Sequence, residues 1–358
     1  MTRTSLMPGF RYGLVALAAL LITSAPHSVW ANTSPAPDPA AFVAEDPTLS
    51  QMIGKSVPGL SWQTLDGQTL DLVKLAHKGP VYLKLWATYC IPCRAQMPGF
   101  ERLYQRYKSR MSIVAVDIGF GEKHDKIVSF VRKASLTMPV VVDDGRLSDW
   151  LHIRATPLHV LIDRDGRLAY LGHQDGAALE AALERVVAKP RTTAHLQFAD
   201  VTPTPPLAVG AEVPTLALSD ATQAAVPLRP EGATRPQVVL FTAPWCESYL
   251  STMDPPTARN CARTREIAQK LVTNSRLDWK VIGAKLWTEP ADMASFRTLF
   301  GPGFRILLDE NNQAFTRFGI RQIPAVALIT KDGRLAEMLD GSRPDLGAQI
   351  EAFARRTP

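Results

Sequence analysis

The chain carries two stretches in which apolar residues change their period in the same order. In the first, VYLKLWA (81–87) is a nearly unbroken apolar run of strand length, which predicts a buried β-strand. The run ends at TYCIPC, and helical spacing then continues to about residue 109, so a helix starts at the cysteines. SIVAVDI predicts a second strand, 123–134 an amphipathic helix, VVV a third strand and 147–151 a short helix. HVLID and LAYLG flank the turn RDG as a hairpin, and a helix over 177–187 closes the unit. Strand and helix alternation followed by a hairpin and a terminal helix predicts an α/β fold, a mixed central sheet flanked by helices on both faces.

The second stretch repeats the first. GKSVP at Gly54 matches GAEVP at Gly210, and VYLKLWATYC ending at Cys90 matches VVLFTAPWC ending at Cys246, both at an offset of 156. Farther on, IRATPLHVLIDRDGRL matches IRQIPAVALITKDGRL at an offset of 167. A constant offset interrupted once implies one domain duplicated, with roughly eleven residues gained in the second copy. A chain of 358 residues at 46% hydrophobic content is long enough for two cores. The expected organisation is two tandem domains, 51–188 and 207–358, joined by a Pro/Thr-rich linker at 189–206.

Residues 1–31 stand apart: Arg3 and Arg11 precede an apolar run over 13–22, and SVWA offers small residues for cleavage after Ala31. This reads as an export signal, and its apolar core is short for a membrane span, so a cleaved signal is favoured over a retained anchor. Residues 32–50, rich in Pro, Ala and small polar residues, read as a flexible N-terminal segment. The formal charge of +6 loses two when Arg3 and Arg11 are removed, and the remaining excess is scattered. No dense basic block with interleaved aromatics is present, so nucleic acid is not an expected partner. The four cysteines, Cys90, Cys93, Cys246 and Cys261, would be exported to where disulfides persist.

WATYCIPCRAQMP (86–98) carries the most chemistry. A Cys-x-x-Cys pair directly after a buried strand and at the start of a helix puts Cys90 where free backbone N–H groups and the helix dipole stabilise a thiolate. Cys90 is the expected nucleophile and Cys93, one turn on, the resolving thiol; Pro92 fits the first helical turn. A structural disulfide across so short a loop would stabilise little, and a zinc site lacks a second ligand pair at suitable spacing, so redox chemistry is favoured and neither metal nor cofactor is assigned.

At these residues the first copy resembles the TlpA/ResA/CcmG group of periplasmic thioredoxin-like thiol:disulfide oxidoreductases, over residues 54–188. The resemblance rests on VPGLSWQTLDGQ, LKLWATYCIPCRAQMP and IRATPLHVLIDRDGRL. It implies two tandem thioredoxin-like domains, a periplasmic location, and a loop in which Pro157 is a cis-proline beside the reactive sulfur and the Thr156 backbone accepts a partner's chain. Trp86 and Tyr89 complete the motif, with Tyr89 in place of the usual tryptophan. Gln96 stands where reductases of cytochrome c maturation carry a glutamate. Lys84 stands six before Cys90, where thioredoxins bury an acid; it either lowers the thiolate pKa or acts as base, or it snorkels to solvent.

In the second copy Trp245 and Cys246 keep the aromatic-cysteine opening, but Tyr249 falls on the resolving position. Ile323 and Pro324 fall opposite Thr156 and Pro157. The insertion STMDPPTARNC delivers Cys261, and Pro255 and Pro256 should end the preceding helix within about two turns. Cys261 is expected to pair with Cys246, either as a staple, which is slightly favoured, or as a second couple; both thiols free is the third reading. Copper held by these cysteines and Met253 is weighed and not favoured, as are His152 and His159 as further copper ligands. The expected function is reduction of disulfides in exported proteins carrying disulfides or thiols, with a membrane electron donor to recharge it. Disulfide isomerisation and copper delivery are the alternatives.

Overall fold

The computed structural model describes residues 47–357, apart from 193–195, 203, 221, 274 and 275. The export signal, its cleavage position and most of the N-terminal segment lie outside the described residues. In chain order the elements are α1 (Pro47–Met52), β1 (Ser61–Gln63), β2 (Thr69–Asp71), α2 (Leu72–Lys78), β3 (Val81–Trp86), α3 (Ile91–Tyr107), β4 (Ser112–Asp117), α4 (His124–Lys133), β5 (Val140–Val142), α5 (Arg146–Trp150), β6 (Leu158–Ile162), β7 (Leu168–Gly172) and α6 (Ala177–Ala188). The second half follows with β8 (Ala217–Ser219), β9 (Ala225–Pro227), β10 (Gln237–Thr242), α7 (Leu250–Met253), α8 (Pro255–Leu271), β11 (Asp278–Ala284), α9 (Pro290–Phe300), β12 (Arg305–Asp309), α10 (Gln313–Arg317), β13 (Ala325–Ile329), β14 (Leu335–Asp340) and α11 (Leu346–Arg356).

Among the described residues β1 and β2 form a small antiparallel pair, and the repeat is written in the topology of the two larger sheets. The first runs β5-β4-β3-β6-β7; the second contains β12-β11-β10-β13-β14 in the same order, extended at one edge by β8-β9. In each, the central strand pairs in parallel with the following strand of the crossover and antiparallel with the first strand of the hairpin. Every residue of β3 and of β10 is buried, because helices cover both faces. One continuous apolar core joins the halves: it holds Tyr89 and Phe120 of the first together with Trp245 and Phe315 of the second. A separate cluster fills the other face of the second sheet around Trp279, Phe296 and Phe353.

One segment differs from its expected character. Residues 47–50, expected to be flexible, belong to α1, and Leu49 is buried because it packs into the core of the first half. The segment expected as a linker is bound along the first half: Ala199 N–H donates to the Val57 carbonyl at 2.9 Å, and Arg191 donates to the carbonyls of Ala76 and His77. Its apolar Phe198 packs against the core.

Candidate active site

Cys90 is the N-cap of α3, and the chain enters the helix through Pro92. This follows from the sequence, since a buried strand must turn sharply after Ala87 and proline fits the first turn, where its missing donor costs little. The Cys93 N–H donates to Cys90 Sγ at 3.1 Å, so the helix N-terminus is aimed at this sulfur. Cys90 and Cys93 are bonded to each other, with Cα atoms 5.2 Å apart, and both are 0% exposed. Cys90 Sγ lies 3.4 Å from the Thr156 carbonyl oxygen, and the Thr156–Pro157 peptide is cis. Trp86 is buried against Phe130 one strand end away.

Beneath the cysteines runs a chain of polar side chains. Lys84 Nζ donates to Gln96 Oε1 at 2.6 Å, His159 Nε2 stands 3.1 Å from the same oxygen, and His159 Nδ1 meets the Tyr82 hydroxyl at 2.6 Å. Gln96 Nε2 donates to the His173 carbonyl, and His173 Nδ1 lies 2.6 Å from the Pro157 carbonyl oxygen, which ties the chain to the cis-proline. Lys84 is 0% exposed and packs over Phe100, so it does not snorkel: its central strand is covered on both faces and offers no route to water. Burial pulls its pKa down to about 7, against the opposing pull of Asp175. Burial likewise holds His159 well below its ordinary value, with the charge of Lys84 adding to the shift. Lys84 and His159 are direct partners in the β3–β6 register, which brings together residues 75 positions apart in the chain.

Sequence reasoning missed a group of buried carboxylates beside the cysteine loop. Glu122 accepts from the N–H of Thr88, and from its hydroxyl at 2.8 Å, anchoring the turn that presents Tyr89 and Cys90. Asp117 and Asp143 are buried near it, and desolvation raises the pKa of all three, with Glu122 also raising that of Asp117. Nothing in their spacing marks them, because a strand end and two loops bring them together.

In the second half Cys246 and Cys261 are bonded, with Cα atoms 6.3 Å apart. Pro255 opens α8 as the prolines require, after α7 has run only four residues. Cys246 therefore sits in a turn before α7 and caps no helix, unlike Cys90. Ile323 is buried, and the Ile323–Pro324 peptide is cis. Met253 is a partly buried core side chain, His152 is exposed with φ 52°, and His159 is committed to Tyr82 and Gln96.

Tyr249 and Trp245 are turned to the first site. The Tyr249 hydroxyl donates to the Tyr89 carbonyl at 2.9 Å and accepts from the Ile91 N–H at 3.1 Å, bracketing Cys90 on both sides. Two backbone contacts between the halves form a reciprocal pair. The Gly121 N–H donates to the Arg321 carbonyl and the Trp287 N–H to the Arg154 carbonyl, each at 2.7 Å. Arg154 and Arg321 are equivalent positions of the repeat. Arg321 also donates to the carbonyls of Ile118 and Asp143, while Arg154 stands 3.9 Å from Glu310. Asp149 accepts from Thr316, its own equivalent, at 2.7 Å. Reciprocal contacts of this kind define an isologous interface, here formed within one chain.

Residues 53–171 match the AhpC/TSA family. The thiol-disulfide oxidoreductase ResA of Bacillus cereus is 33% identical over 138 residues, covering 37% of this chain and 78% of that protein. The thioredoxin-like protein YneN of Bacillus subtilis is 32% identical over 114 residues, covering 32% of this chain and 66% of that one. Among solved structures, StoA of Bacillus subtilis is similar at 23% identity and a TM-score of 0.32, covering 36% of this chain and 98% of its own.

Proposed function

Because this chain belongs to the family of thiol-disulfide oxidoreductases that includes ResA, we propose that Cys90 and Cys93 are its redox pair and that it reduces disulfides in exported proteins. The observation that carries the assignment is the Cys90 sulfur at the N-cap of α3, held by the Cys93 N–H and beside the Thr156–Pro157 turn. In the dithiol form, the N–H groups and dipole of α3 favour the Cys90 thiolate. This thiolate attacks one sulfur of the substrate disulfide, and the other substrate sulfur leaves as a thiolate that takes a proton. Cys93 then loses its proton and attacks Cys90 Sγ, releasing the second substrate thiol and leaving the Cys90–Cys93 bond. Two electrons pass to the substrate, and an exported or membrane-bound dithiol donor must return them.

Lys84, buried on the central strand and held by Gln96 of the helix that carries Cys93, has a pKa of about 7, which suits it to accept the Cys93 proton at neutral pH. Domain boundaries near 188 and 207, a signal cleaved after Ala31 and a periplasmic location complete the reading, supported by the repeat and by the charged and apolar pattern of residues 1–31. The test is trapping. Cys93→Ser should accumulate a mixed disulfide between Cys90 and a protein substrate, while Cys90→Ser should trap nothing and lose disulfide reduction. Retained reduction by Cys90→Ser would remove the assignment.

A further inference from the structure

We propose that the C-terminal half is the resident occupant of the face through which Cys90 works, so that a substrate polypeptide reaches Cys90 only when the halves part. The inference rests on Cys90 as nucleophile and goes beyond it, to what controls access.

A thiolate attacks a disulfide along the axis of the bond it breaks, so the attacking sulfur needs an open approach for a second polypeptide. Cys90 has none: it is 0% exposed, and both of its chain neighbours are hydrogen-bonded to the single hydroxyl of Tyr249. The Ile91 N–H is one of the free donors at the start of α3, and Tyr249 takes it. Tyr89 is walled by Trp245 and by Trp287, with centroids 5.9 and 5.5 Å away. The tyrosine at the resolving position of the second copy therefore serves the first copy's site.

The closure is not held by apolar contact alone. Around the aromatic centre the interface is held by polar contacts, among them the Arg321 guanidinium on backbone carbonyls, Gln322 on the Glu122 carbonyl at 2.7 Å and the Lys126–Asp254 ion pair at 2.5 Å. Each of these groups is satisfied by water when the halves part, whereas a wholly apolar seam would resist opening. A substrate that supplies apolar surface and backbone partners at Tyr89 and Ile91 replaces what Tyr249, Trp245 and Trp287 provide.

The experiment is alkylation of Cys90 by iodoacetamide in the reduced full chain, followed by mass spectrometry, for wild type, Arg321→Ala and Trp245→Ala. Loss of the charged hydrogen bonds of Arg321 should speed modification by about tenfold or more. Equal rates in wild type and in folded variants would overturn the proposal. Amide hydrogen exchange on the wild type tests it without any substitution. The amides of Ile91, Gly121 and Trp287, whose acceptors lie on the other half, should exchange together and faster than those of β3 such as Leu83. Exchange of these three only with the core would equally overturn it. If Cys90 becomes accessible in the variants but no protein disulfide is reduced, the nucleophile assignment falls and the closure stands.

Discussion

Tyr89 and Trp245 stack at a centroid separation of 5.9 Å, and they are the same position of the two copies, each directly preceding a cysteine. Each also anchors to its own half: the Tyr89 hydroxyl donates to the Phe120 carbonyl and Trp245 Nε1 to the Leu286 carbonyl, both at 2.5 Å. The two cysteine-bearing loops therefore meet at the centre of a pseudo-twofold interface, and access to one is governed by the other.

Tyr249→Phe keeps the ring against Trp287 but removes the hydroxyl shared by Tyr89 and Ile91. Two backbone groups lose their partner, so the variant should be less stable by about 1–3 kcal/mol. Urea denaturation at fixed pH reads this as a lower midpoint with unchanged slope, and an unchanged midpoint would mean that water replaces the hydroxyl without loss.

The Cys246–Cys261 bond closes a loop with a sequence separation of 15 and caps no helix. Its removal in Cys246→Ala/Cys261→Ala should lower stability by about 3 kcal/mol. As a staple it should stay oxidised in glutathione buffers that titrate Cys90–Cys93, read by thiol trapping and mass spectrometry. Reversible titration of both pairs over the same range would make the second pair a redox couple instead.

The folded-state pKa of Lys84, about 7, lies below its ordinary 10.5, so the penalty for its charge is fully present below pH 7. The unfolded chain binds the extra proton above that point, and stability from this group rises with pH from about 7 to 10, by up to roughly 1.4 kcal/mol per pH unit. Lys84→Met should abolish that rise in denaturation measured at a series of pH values. It should also flatten an inflection near pH 7 in the rate at which Cys93 resolves a mixed disulfide; an inflection that survives would assign the proton acceptor elsewhere.

Gln96→Glu places a carboxylate where Lys84 Nζ now donates to a neutral oxygen. A negative neighbour favours the charged amine, so the inflection in the resolving step should move above 7 and the rate at neutral pH should fall. An inflection left in place would show that Lys84 does not govern this step.

The sequence by itself determined what depends on neighbouring residues. Strand and helix periods, the position of Cys90 at a strand-to-helix turn, the break at Pro255 and the duplication are written in spacing, and a proline's missing N–H acts wherever the chain is folded. The pairing of Cys261 with Cys246 was legible too, as the partner the insertion supplies. Tertiary structure alone decided the rest. Lys84 could snorkel or be buried until both faces of β3 were covered, and Glu122 meets Thr88 only because a distant loop returns to the cysteine turn. Tyr249 read as a lost resolving position of the second site, and only the face-to-face packing of the halves brings its hydroxyl to Tyr89 and Ile91. Such contacts join residues far apart in the chain, so local propensity carries no trace of them, and the burial that sets their chemistry exists only once both halves are in place.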